Sequence, residues 1–222
     1  MTDATPKWAR LPLKWIHEQG LSVFQGGKQL GVSMAALKIL MAVLLRAENK
    51  APASAEVTQG SACLSYDELM EMTGLSRSMI AAGTKRLGLL GLVTVTREGR
   101  GGKNRYAVAD YMVGAWGRIP YRSVVGPGPR YEKRVKLLHD LSCKRATDLN
   151  ALKLYFLLCA HRSGASLYAM IGYEKIHEAT GILKPRIRQA ISLLIEFNLV
   201  RIEHEKLPAG TNTPNRYYIS GL

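Results

Sequence analysis

The chain has 222 residues, 47% apolar and 22% charged, which suits one large globular domain or two small ones and excludes a disordered chain. Its 31 Lys and Arg against 17 Asp and Glu give a formal charge of +14, spread over both halves (14 − 9 = +5 in residues 1–112, 17 − 8 = +9 in 113–222), and point to a polyanionic partner. Three cysteines without a CxxC pair, an N-terminus without an apolar signal core, and a longest apolar run (Ala36 to Leu45) broken by Lys38 argue against a disulfide-framed secreted protein and a membrane span, so the expected location is cytoplasmic.

In chain order, Trp8-Ala-Arg-Leu-Pro-Leu-Lys14 is an aromatic and proline motif ahead of the first helix. Ser33 is placed to cap a helix to about Arg46, with Leu37, Leu40, Met41, Leu44 and Leu45 at helical spacing. Tyr66 to Thr73 reads as a short second helix stopped by Gly74. A third helix starts at the cap Ser76 and runs to about Leu90 with Ile80, Leu87 and Leu90 inward. The β-branched run Leu92 to Thr96, a glycine-bearing loop and the strand Arg105 to Val108 form a hairpin.

The same order then recurs. Trp116-Gly-Arg-Ile-Pro-Tyr-Arg122 matches the opening motif, Ala151-Leu-Lys-Leu-Tyr155 matches Ala36-Leu-Lys-Ile-Leu40, and Ile171 to Glu205 matches Leu64 to Glu98 without a gap. Asn104-Arg-Tyr106 and Asn215-Arg-Tyr217 close the two copies. Copy two predicts a first helix capped by Asn150 to about His161, and a second from Tyr173 to Thr180 ended by Gly181. Its third runs from Lys184 to Phe197, with Pro185 in the first turn and Ile187, Ala190, Ile191 and Leu194 inward. Leu199 to Ile202 and Arg216 to Ile219 then predict a second hairpin. Copy two adds a basic helix over Tyr131 to Ser142 with Val135, Leu138 and Leu141 inward; Gly26 and Gly27 interrupt the corresponding stretch of copy one. The expected fold is mainly α with small β-hairpin wings (α+β), in two duplicated domains at 1–110 and 116–222.

Gly74-Leu-Ser-Arg-Ser-Met-Ile80, Lys85-Arg-Leu87 and Gly91-Leu-Val93, with their counterparts Gly181-Ile-Leu-Lys-Pro-Arg-Ile187, Leu193-Leu194 and Asn198-Leu-Val200, resemble the core of bacterial winged helix-turn-helix DNA-binding domains. The two-domain arrangement is similar to plasmid replication initiators and to small tandem-domain transcription regulators. That resemblance implies a third helix in the major groove and a wing on the backbone or minor groove. Carried over by position, the DNA-contacting set in copy one is Ser76, Arg77, Ser78, Met79, Ala82, Lys85 and Arg86 on the helix, with Arg97, Arg100, Lys103 and Arg105 on the wing. In copy two it is Lys184, Pro185, Arg186, Arg188 and Gln189, with Lys206, Asn212, Asn215 and Arg216 on a longer wing. Arg reads guanine and Gln reads adenine through paired hydrogen bonds, so copy two is the stronger base reader, although Leu183 stands where the pattern has a capping Ser.

The residue types agree with that assignment. From Arg77 to Arg105 seven side chains are basic and one, Glu98, is acidic, whereas the preceding helix carries Asp67, Glu68 and Glu71. The loop Gly99 to Arg105 is not a phosphate-binding P-loop, because Arg97 and Asn104 occupy positions that need Gly and Ser or Thr. Met70, Met72 and Met79 read as packing residues, Tyr106 and Tyr217 as core anchors, and Cys159 as a buried small hydrophobe. His139 and Cys143 would share a helix face, but no second ligand pair accompanies them, so neither metal nor cofactor is expected. No nucleophile elbow, HExxH or dinucleotide fingerprint occurs, and an enzyme is not expected. The expected partner is double-stranded DNA, with no membrane. The expected function is transcription regulation, with replication initiation on plasmid or phage DNA and a protein-interaction module as alternatives. A homodimer and the replication or transcription machinery are the further partners these alternatives admit.

Overall fold

The computed structural model describes residues 7–48, 59–98, 102–126, 133–162, 166, 168–203 and 214–221. The chain is mixed α and β with three small antiparallel sheets. The first half runs β1 (Trp8–Pro12), α1 (Lys14–His17), a 3₁₀ turn (Gly27–Gln29), α2 (Leu30–Arg46), β2 (Ser61–Ser65), α3 (Tyr66–Thr73), α4 (Arg77–Leu89), β3 (Val93–Glu98) and β4 (Lys103–Val108). The second runs β5 (Trp116–Pro120), α5 (Tyr121–Val125), α6 (Lys136–Asp140), α7 (Ala146–His161), β6 (Tyr168–Ile171), α8 (Tyr173–Thr180), α9 (Lys184–Glu196), β7 (Val200–Glu203) and β8 (Asn215–Ile219). Each half closes a three-stranded sheet of the same topology, β2-β4-β3 and β6-β8-β7.

Two helices form the centre. In α2 every residue from Ser33 to Leu45 is buried, and in α7 every residue from Ala151 to Ala160. A helix apolar on all sides belongs inside, and these two pack on each other with α4 and α9 on their flanks. Residues 27–46 also match a membrane-crossing helix in length and composition, but the helix lies largely within this core.

The helix starts differ from the expected ones. Ser33 does not cap α2, which begins three residues earlier because the 3₁₀ turn at Gly27–Gln29 leads straight into it; the Ser33 hydroxyl donates to the Gln25 carbonyl at 2.7 Å instead. Asn150 does not cap α7, which begins at Ala146. Asp148 organises that entry, its buried carboxylate accepting the Ser142 N–H at 2.6 Å and the Arg145 guanidinium at 2.9 Å. The other boundaries follow their chemistry. Ser65 and Glu68 make a reciprocal capping box on α3, Ser76 caps α4, and Gly74 and Gly181 end α3 and α8 at φ 69° and 68°, where a Cβ would be strained.

The basic helix expected over Tyr131 to Ser142 is interrupted: Lys133 is helical, Arg134 and Val135 are not, and the five-residue α6 follows; Val135, Leu138 and Leu141 are buried, but Val135 and Leu141 are extended. The interruption has a cause: the Val135 N–H donates to the Met72 carbonyl at the end of α3, and the His139 ring bonds the Glu71 carbonyl at 2.8 Å. Cys143 therefore lies beyond the helix that carries His139, and no helix face joins the two.

The halves also share a two-stranded ribbon. Strand β1 pairs antiparallel with β5 in a register that sets Trp8 opposite Pro120, Pro12 opposite Trp116 and Arg10 opposite Arg118. Because the aligned arginines face each other, a local two-fold axis passes between them. Gly117 makes the packing possible, since a Cβ there would stand 2.5 Å from the Cys159 carbonyl oxygen of α7. Burial pushes the Cys159 thiol up to about 12, so it stays protonated and inert.

Two aligned lysines, Lys38 of α2 and Lys153 of α7, are buried among these apolar residues. Burial pushes the Lys153 ammonium down to about 8 and lowers Lys38 for the same reason. With a folded value below the ordinary 10.5, the unfolded chain binds more protons between pH 8 and 10.5, and stability rises with pH across that window. Lys153 is expected to contribute about 2 kcal/mol to the change in urea-unfolding free energy between pH 7 and 9.5, read as the excess of the wild type's change over that of a Lys153→Met variant, with the buried Cys159 thiol acting in the opposite sense in both.

Candidate nucleic-acid interface

Helix α4 presents two faces. Ile80, Gly83 and Leu87 are buried against α2, while Arg77, Ser78 and Lys85 are exposed. Ser76 holds the helix start, accepting from the Met79 N–H at 3.3 Å and bonding Ser78 Oγ at 3.0 Å. Met79 and Ala82 are half-buried rather than outward, and the Met79 methyl would lie 3.5 Å from a Cβ at Gly31. Arg86 is half-buried too and donates to the Val23 carbonyl at 3.0 Å. Its stem packs along the body and its guanidinium steadies the segment before α2.

Helix α9 repeats the design with a more open outer face. Ile187, Ala190, Ile191 and Leu194 are buried, and α9 packs on α7. Pro185, Arg186, Arg188 and Gln189 are exposed in its first turns. Leu183 caps the helix without a side-chain acceptor and is itself exposed. Among the described residues neither Arg186 nor Arg188 makes an ion pair, and the same holds for Lys85 and Arg97.

The remaining cations have acidic neighbours. Arg77 pairs with Asp67 at 2.5 Å, Lys103 with Glu68 at 3.2 Å, Arg105 with Glu98 and Lys184 with Glu174. The acids of α3 thus sit beside the basic residues of α4 and the first hairpin. Exposed pairs hold about 0–1 kcal/mol, so a phosphate can displace Asp67, Glu68 or Glu174. The hydrogen bond from Lys184 holds the Glu174 carboxyl below the usual range.

Arg105 is different, because it is half-buried on the middle strand β4. Its guanidinium reaches Glu98 of β3 on one side and Ser61 of β2 at 3.2 Å on the other, tying the three strands together. Cys63 donates to the same Glu98 carboxylate at 2.7 Å. That bond, then the one from Arg105, lowers the Glu98 carboxyl, while the bond to Glu98 and then burial raise the Cys63 thiol. Arg97 is exposed on β3 and Lys103 on β4. Arg100 lies outside the described residues, as do Lys206 and Asn212. Asn215 donates to the Tyr217 hydroxyl at 3.2 Å, and the Arg216 guanidinium lies 5.1 Å from the centre of the Tyr168 ring, so both are engaged with their own sheet.

One cationic surface was missed from the sequence. On the outer side of the β1–β5 ribbon the Trp8 and Trp116 rings stack at 4.9 Å, with Arg10 4.8 Å from Trp116 and Arg118 5.4 Å from Trp8. The repeated Trp-x-Arg motif carries the signal, for its alternation puts Trp and Arg outward while Ala9, Leu11, Gly117 and Ile119 are buried. Among the described residues no group of three or more His, Cys, Asp or Glu is arranged to hold a metal.

No protein-family model and no curated protein matches the chain in sequence.

Proposed function

We propose that the chain is a sequence-specific double-stranded DNA-binding protein of two winged helix-turn-helix units, acting as a transcription regulator. The observation that carries this is the outer face of α9, where Arg186, Arg188 and Gln189 stand exposed in the first turns and the two arginines make no ion pair among the described residues. Guanidinium and amide groups so presented suit the edges of guanine and adenine in the major groove. Helix α4 supports it more weakly, offering Lys85 openly and Arg77 after release from Asp67.

The local two-fold between the halves adds a geometric expectation. Carried through to α4 and α9, that symmetry would set them in opposite senses, and the expected site is two inverted half-sites of unlike sequence. Selection of bound duplexes from a random pool tests this. One unlike-armed motif is expected, whereas tandem direct repeats beside an AT-rich segment would move the assignment to replication initiation. If about five phosphates are contacted, log K should fall against log salt concentration with a slope of about −4 to −5. A slope near zero in fluorescence anisotropy would remove DNA as the partner.

A further inference from the structure

We infer that the cavity between residues 22–27 and the flanks of α7 and α9 binds a phosphate-sized oxyanion through Lys153 and Arg186. The assignment goes beyond duplex recognition, although Arg186 serves in both. It starts from a broken symmetry between the two buried lysines.

Lys38 and Lys153 occupy aligned positions and are 3% and 4% exposed. Each ammonium donates to a backbone carbonyl, Lys38 to Thr73 at 3.4 Å and Lys153 to Phe24 at 3.0 Å. Two groups of the other half, Cys143 and the buried carboxylate of Asp148, favour the charged form of Lys38. The residue of α2 aligned with Asp148 is Ser33. Its hydroxyl donates to the carbonyl of Gln25, next to the carbonyl that Lys153 uses. The two-fold therefore puts a serine where the carboxylate for Lys153 would stand. Among the described residues no acid acts on Lys153, and burial alone accounts for its lowered pKa. A buried ammonium costs free energy until an anion or further acceptors meet it.

The two surroundings also differ in volume. Beside Lys38 the space is filled by the segment ahead of α7, with the His139 ring 3.0 Å from the position of a Cβ on Gly74 and the Cys143 carbonyl 4.0 Å from one on Gly31. The corresponding segment beside Lys153 turns through Gly26 and Gly27, where an added Cβ would meet nothing within 4 Å. What remains is a cavity of about 180 Å³ whose wall includes Lys153, Asn150, Gln25, Gly181 and Arg186. A water takes about 30 Å³, so a tetrahedral oxyanion fits with part of its hydration. Leu183, also on the wall, leaves the first turn of α9 without a side-chain acceptor, whereas Ser76 supplies one to α4. Pro185 has no N–H and the Arg186 N–H is bonded to the Leu183 carbonyl at 2.8 Å, so the two side-chain cations carry the site.

Inorganic phosphate, titrated into the full-length protein against chloride at matched ionic strength, tests the site by calorimetry and thermal unfolding. Saturable binding of one phosphate per chain and a raised Tm are expected. Lys153→Met keeps the side-chain stem, loses the charge and should abolish both effects. Ser33→Asp supplies the missing carboxylate at the cost of the hydroxyl's bond to the Gln25 carbonyl, and should weaken phosphate binding at least tenfold in a variant shown to be folded by circular dichroism. Adding excess random-sequence duplex separates the sources. Loss of the phosphate signal identifies a nucleic-acid backbone phosphate as the natural occupant, and an unchanged signal identifies a free small molecule. Absence of saturable binding in the wild type, or binding unchanged in folded Lys153→Met, would overturn the assignment.

Discussion

Replacing Arg186 and Arg188 together by alanine is expected to weaken binding to the selected duplex by roughly 30-fold or more while leaving the thermal midpoint nearly unchanged. Each well-placed Arg–guanine pair contributes about 1–3 kcal/mol of discrimination, and about 1.4 kcal/mol is tenfold in affinity. Both side chains are exposed on α9, and surface substitutions of this kind usually change stability by about 0.5 kcal/mol or less. Lys184→Ala is the contrast. That ammonium is already paired with Glu174, so its loss should weaken all duplexes evenly and slightly. Anisotropy titrations with specific and scrambled duplexes separate the cases, and unchanged affinity of the double variant on every duplex would remove α9 as the reader.

Gly83→Val is expected to lower the melting temperature by roughly 6–12 °C, the largest stability effect of any single substitution considered. The position is a close approach of α4 to α2: besides Ile39 Cδ1 at 2.8 Å, a Cβ there would meet two backbone atoms at 2.9 Å, the Ala35 carbonyl carbon and the Ala36 nitrogen. Neither atom can move without shifting the central helix, so the helices must separate. Overpacking of this kind costs about 1–3 kcal/mol, and valine's branched Cβ stands at the upper end. At this chain length each kcal/mol is worth about 2–4 °C. Gly83→Ala should fall between, because the gain of about 1 kcal/mol in helix propensity opposes the clash. The aligned residue of α9 is Ala190, so α9 and α7 pack with room for a methyl. An unaltered melt for Gly83→Val would mean that α2 and α4 do not touch there.

Local chemistry carried most of the helices. The boundaries of α3, α4, α8 and α9 follow from capping serines, a proline in a first turn and terminal glycines, all of which act within a few residues of where they stand. The expected starts of α2 and α7 were wrong for a related reason. Ser33 and Asn150 have the chemistry of caps, but the chain was already helical upstream of both, and a side chain cannot show whether the preceding turn has formed. The five-residue strands β1 and β5 went unassigned although their motif had been recognised as a repeat. A short proline-ended strand declares itself only through its partner, which here lies over 100 residues away.

The candidate interface divides along the same line. Which residues carry charge was legible in the composition of α4 and α9. Their availability was not, since Asp67, Glu68 and Glu174 draw three cations into pairs and Val23 takes a hydrogen bond from a fourth, Arg86. Amino-acid order alone determined the net positive charge, the repeated order of elements and the burial of two apolar helices, because each depends on residue type and near-neighbour spacing. Tertiary structure decided that the two Trp-x-Arg strands pair antiparallel, that Asp148 favours the charged form of Lys38, and that Lys153 is left on the wall of an open cavity. Those outcomes depend on which distant segments come together, and desolvation and charge pairing are properties of that meeting rather than of any residue by itself.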